Sequence, residues 1–124
     1  MARMDGSAFE QLVADVLDNL PGEFGRHLDV VEVQIAARPS RAQRRSLGLK
    51  PAETLYGLYE GVPLTERSSD LLLTPDLITI FQEPLERDFP NPDQLRAQVR
   101  RTVLHEIAHF FGISDERLHE LDAY

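Results

Sequence analysis

His105-Glu106-Ile107-Ala108-His109 restricts what this chain can fold into more than any other stretch of it. Two imidazoles four residues apart can act together on a helix, where i and i+4 share a face. At about 100° per residue with His105 at zero, Gln98, Thr102 and His109 fall within about 60° of it. Val99, Val103, Leu104, Ile107, Phe110 and Phe111 fall in the sector from roughly 120° to 260°. The segment therefore reads as one helix with opposed faces, an apolar stripe for the core and a histidine face for a cleft or solvent. Its ends are marked as well. In Pro90-Asn91-Pro92-Asp93, Asn91 suits the N-cap and Pro92 the first helical position. Gly112 can take a positive φ and stop the helix.

The same five residues carry chemistry. H-E-x-x-H on a helix lets two histidines hold one zinc ion while the glutamate serves as general base. A catalytic zinc site uses three protein ligands and leaves the fourth position to water. Beyond Gly112 the chain can double back, and Asp115 is the expected third ligand, with a carboxylate oxygen zinc accepts. Asp115 could instead cap or begin a final helix over 116–122. Glu116, His119 and Glu120 are the rival donors, His119 foremost because imidazole is a common zinc ligand. The chain has no cysteine, so any zinc site is confined to histidine and carboxylate, which suits a catalytic centre.

The run His105 to Asp115 resembles the extended metzincin pattern H-E-x-x-H-x-x-G-x-x-H/D, with Asp115 in the last place. More closely, the chain resembles a family of small bacterial zincin-like metallopeptidases. The likeness rests on Leu55-Tyr56-Gly57-Leu58-Tyr59-Glu60-Gly61-Val62-Pro63-Leu64, on Ile80-Phe81-Gln82-Glu83-Pro84-Leu85, and most specifically on Val103 through Leu121. It implies an α+β fold, a minimal zincin-like domain over residues 1–124 in which a small mixed sheet packs on an N-terminal helix and an active-site helix. It implies Zn2+ held by His105, His109 and Asp115, Glu106 as the catalytic base, and a peptide or protein substrate. It also implies an edge strand above the active helix that pairs with an extended substrate, for which Ile78 to Glu83 is the candidate by order. The alternative for that segment is an internal strand with no free edge. Two departures bear on peptide cleavage more than on zinc binding. Met1 and Met4 are the only methionines, so no methionine turn is expected beneath the metal. Nine residues follow Asp115, so no C-terminal subdomain is expected.

The leading functional reading is thus a zinc-dependent metallopeptidase, with a zinc-activated water and Glu106 shuttling its proton to the leaving amine. His119 and Tyr124 are candidates for a second oxyanion donor by nearness in sequence alone. A metal-dependent endoribonuclease is the alternative. The bacterial rRNA-processing endoribonucleases are similar in having two histidines four apart, a glycine and a third histidine, but they lack the glutamate. A formal net charge of −8 argues against a partner held through phosphates. Arg38 to Lys50 holds five of the 13 basic residues. That segment reads as a solvated loop or short helix, with contact to an acidic partner or nucleic acid as its functional alternative. A non-catalytic zinc-binding module is the third possibility.

The rest of the chain reads as scaffold. A length of 124 residues suits one domain, and 42% hydrophobic residues suffice for a small core. No apolar leader or membrane-length stretch is present, so a cytoplasmic location is expected. Ser7 to Leu20 is an amphipathic helix with a Ser7/Glu10 capping box, stopped by Pro21-Gly22. Asp29 to Ala37 alternates as a half-buried strand. Thr54 to Glu60 is a second strand, in which Tyr56 and Tyr59 are packing residues. Leu77 to Phe81 is a third, closed by Pro84.

Overall fold

The computed structural model describes residues 6–25, 31–50, 53–61 and 76–120. The chain opens with α1 (Gly6–Asp18), which buries Phe9, Leu12, Val13 and Val16 on one stripe. Helix α1 begins one residue before Ser7. A short turn, α2 (Gly22–Gly25), follows Pro21, whose carbonyl accepts from the amides of Phe24 and Gly25. This turn buries Phe24 completely.

Strand β1 (Val31–Ala36) leads to α3 (Arg41–Ser46). A capping box starts α3: the Ser40 hydroxyl accepts from the Gln43 amide, and the Gln43 side chain accepts from the Ser40 amide. No residue of α3 is buried, so the basic segment is a solvated short helix. Two of its cations serve local structure. Arg38 pairs with Glu83 at 3.1 Å, and Arg44 donates to the carbonyls of Lys50 and Glu53.

Strands β2 (Gly57–Glu60) and β3 (Asp76–Phe81) complete a mixed sheet of order β1-β3-β2. β1 and β3 run parallel, from Val31 opposite Asp76 to Ala36 opposite Phe81. β2 is antiparallel to β3, with Gly57 opposite Ile80 and Glu60 opposite Leu77. This corrects the edge-strand expectation for Ile78 to Glu83. Among the described strands β3 is central, and β2 lies at the edge beside the long helix. The physical reason is burial on both faces: Ile78, Thr79, Ile80 and Phe81 are all shielded, the near-continuous pattern of an interior strand. Gln82 and Glu83 belong to α4 (Gln82–Asp88), so Pro84 does not close the strand. It sits in the first helical turn, where a missing N–H costs nothing. The second strand is also shorter than expected, with Leu55 and Tyr56 leading into it.

Helices α5 (Pro92–Phe111) and α6 (Asp115–Glu120) end the described chain. One apolar cluster joins α1, α5 and the sheet, with Ile78 and Ile80 of β3 against Val99, Val103, Leu104 and Ile107 of α5. Each such fully buried side chain contributes about 1.5–3 kcal/mol over its exposed state. The architecture is a small α+β fold. Among the described residues no helix is long and apolar enough to cross a membrane.

Candidate active site

Helix α5 is held at both ends. The Asn91 side chain accepts from the amides of Asp93 and Gln94 at 2.9 and 3.1 Å, and Pro92 opens the first turn. At the other end Gly112 is left-handed at φ 72°, and the Ile113 amide reaches back to the Ala108 carbonyl at 3.0 Å. That six-to-one bond closes the helix in the Schellman manner. Between these ends the two expected faces form. Val99, Val103, Leu104 and Ile107 are fully buried, while His105 is half-buried and His109 exposed. The Phe110 side chain lies outside the described residues.

The histidine face opens on a cleft of about 520 Å³. One wall is α5, with Gln98, Arg101, Thr102, His105, Glu106 and His109. The other is the approach to β2, with Leu55, Tyr56 and Gly57. The two imidazoles stand side by side, ring centroids 6.4 Å apart, and could hold one metal ion between them.

The strand wall comes unusually close to the helix at Gly57. A Cβ there would lie 2.5 Å from Thr102 Cγ2. Thr102 cannot easily turn away, because its hydroxyl donates to the Gln98 carbonyl at 2.8 Å and its branched Cβ has few rotamers in a helix. Thr102 is consequently buried, although it lies on the polar side of the wheel.

The register of β2 decides which backbone groups face the cleft. The Phe81 amide donates to the Tyr56 carbonyl at 2.9 Å, so Tyr56 and Phe81 are a hydrogen-bonded pair. Alternation along an antiparallel ladder then turns the peptide groups of Gly57 and Tyr59 away from β3. The Tyr59 N–H is used: it donates to the Glu106 carboxylate. Burial pushes the Glu106 carboxyl above the usual carboxylate range, with the Tyr59 N–H and nearby His109 partly opposing the shift.

Both tyrosines of this wall are packing residues, as expected. The Tyr56 hydroxyl donates to Asp88 at 2.5 Å and its ring meets Phe89 edge-on. Burial, and then the bond to Asp88, push the Tyr56 phenol up to about 12. Arg87, followed by Tyr56, holds the Asp88 carboxyl below its ordinary value. The Tyr59 hydroxyl donates to the buried Asp76 at 2.6 Å, and its ring packs edge-on to Phe111.

Among the described residues no group of three or more His, Asp or Glu side chains is assembled for a metal. The side chain of Asp115 and the whole of Tyr124 lie outside the described residues. The backbone does place Asp115 as the first residue of α6, directly after the turn at Gly112. Capping of α6 falls to Ser114, whose hydroxyl accepts from the Arg117 amide at 3.1 Å. Asp115 therefore need not cap that helix.

Three site features escaped the sequence reading: Gly57, the Tyr59 amide and Arg101. Arg101 alone left a signal there. It precedes His105 by four residues and lies at about −40° on the same wheel. The other two depend on pairing and close approach, which no local pattern records.

A search among curated proteins finds no match to the chain. The family profile for zincin-like metallopeptidases matches residues 28–124, which include β1, the edge strand and the whole histidine helix. With more than three quarters of its length so matched, the chain belongs to the zincin-like metallopeptidase family.

Proposed function

We propose that this chain is a zinc-dependent peptidase in which His105, His109 and Asp115 hold Zn2+ and Glu106 is the general base. The observation that carries this reading is the setting of Glu106. Its carboxylate is desolvated, tied to the Tyr59 amide, and placed in the same cleft as the two imidazoles. The donor chemistry suits zinc, with two imidazoles on one helix face and no competing thiolate. Membership of the family implies zinc binding in general. For Asp115, support comes from the early helix end at Gly112 and from the cap supplied by Ser114.

Zinc, when bound, supplies Lewis acidity that polarises the scissile carbonyl and makes water easier to deprotonate. Glu106 accepts the proton of the attacking water and returns it to the leaving amine. The Tyr59 N–H holds the carboxylate in place while this happens. Gly57 offers the outward peptide group of an edge strand, where an extended substrate backbone can pair. Its missing side chain leaves the cleft floor low. In the basic segment Arg38 and Arg44 are taken up by Glu83 and by backbone carbonyls, and the formal net charge of −8 disfavours a partner held through phosphates.

The test is Glu106→Gln. Zinc content should stay at about one ion per chain. Hydrolysis of a peptide library should fall by about 10²- to 10⁴-fold. Unchanged hydrolysis in this variant removes Glu106 from its role. Asp115→Ala should weaken zinc binding; an unaltered affinity there, with a loss in His119→Ala, reassigns the third ligand.

A further inference from the structure

One cation in the cleft is not spent. Arg101 lies one helical turn before His105 and lines the same wall. Its Nε is buried and has no hydrogen-bond partner among the described residues. The arginines of a separate pocket are occupied: Arg87 binds Asp88 and Thr54, Arg44 binds backbone carbonyls, and Arg38 binds Glu83. The facing wall of Leu55, Tyr56 and Gly57 brings no carboxylate to Arg101, and the Tyr56 hydroxyl is directed to Asp88. Glu106, the one acid among the described residues lining the cleft, is bound to the Tyr59 amide.

A desolvated guanidinium N–H without an acceptor is unfavourable, and folding does not leave such groups in a groove without cause. Nε itself is shielded, so an anionic ligand oxygen would meet the rest of the guanidinium that lines the cleft, through a charge-assisted hydrogen bond. The position also suits a substrate. Four residues of helix rise about 6 Å, close to two residues of extended peptide at about 3.3 Å each. We infer that Arg101 is a specificity-determining residue that binds a substrate carboxylate within about two residues of the reacting bond. The carboxylate is either the free C-terminus or an acidic side chain. The inference rests on the peptidase reading for what occupies the cleft, but on Arg101 alone for the charge preference.

Binding separates the two. Zinc-loaded Glu106→Gln protein is titrated by calorimetry with three N-acetylated hexapeptides. One has a free C-terminus and neutral side chains, one is its C-terminal amide, and one is the amide with a single internal glutamate scanned through the sequence. At least one carboxylate peptide should bind about 10–100-fold more tightly than the neutral amide, the range for a lost charged hydrogen bond. Which one does so identifies the source of the carboxylate. The preference should fall to within about twofold in an added Arg101→Ala change and be partly kept in Arg101→Lys, which retains charge without the guanidinium. Zinc content and thermal unfolding are measured in each variant, and Arg101→Met substitutes if alanine disturbs folding. Equal binding of all three peptides, binding of none, or a preference that survives loss of Arg101 overturns the inference. A carboxylate preference in a protein whose wild type hydrolyses no peptide leaves Arg101 standing and removes the peptidase reading. Hydrolysis without the preference does the reverse.

Discussion

Helix α5 and strand β2 face each other across the cleft, and they are built in different ways. The helix wall is made of side chains: His105, His109, Glu106 and Arg101 project from a rod fixed by Asn91 and Gly112 and anchored by Val99, Val103, Leu104 and Ile107. The strand wall contributes mainly backbone. Tyr59 gives its N–H to Glu106, and Gly57 gives the absence of a side chain. The helix wall should therefore fail by subtraction, when a side chain is removed. The strand wall should fail by addition, when one is introduced.

The largest effect belongs to the helix. Glu106→Gln should reduce peptide turnover about 10²- to 10⁴-fold, the usual worth of a positioned base, with zinc content unchanged. Deleting the anchor behind the site comes next. Leu104→Ala should cost about 2–5 kcal/mol in urea unfolding, because the site on a fully buried face cannot collapse. The strand follows. Gly57→Ala should cost about 1–3 kcal/mol by overpacking against Thr102, and adding Thr102→Ser should restore most of it. Serine keeps the hydroxyl bonded to Gln98 and sheds the obstructing methyl. A Gly57→Ala chain as stable as the wild type would break the contrast between the walls. Asn91→Ala should cost about 0.5–2 kcal/mol through the lost cap.

The smallest effect is in alkaline pH. The folded protein keeps the Tyr56 proton up to about 12, whereas an unfolded tyrosine releases it near 10. Stability from this group is complete below the unfolded value and is lost as pH rises through the folded one. Tyr56→Phe should flatten the pH dependence of the unfolding midpoint in that window. A wild-type slope that persists in the variant would assign the effect to another group.

The same contrast explains how much could be read beforehand. Everything on α5 that depends on local periodicity was legible: the two faces, Asn91 and Pro92 at the start, Gly112 at the end. Membership of the family, the α+β class and the packing roles of Tyr56 and Tyr59 were legible too. The strand wall was not. An apolar run such as Leu77 to Phe81 suits either an edge or a central strand, and only pairing with β1 and β2 on its two sides decides. Pro84 suggested a stop because proline usually ends regular structure, yet in a first helical turn it is permitted. Gly57 showed no turn signature, since its reason is a neighbour 45 positions later. Arg101 was on the wheel but lacked meaning until the cleft acid beside it, Glu106, was seen bound to the Tyr59 amide.

The contact between Gly57 and Thr102 has one more consequence, for descent. A branched residue at 102 and any side chain at 57 are mutually exclusive at this spacing. The two positions should be inherited as a unit: lineages that gain a methyl at 57 must already have lost one at 102. Loss of the methyl at 102 alone leaves the approach open, whereas a side chain gained at 57 alone fills the space between strand and helix.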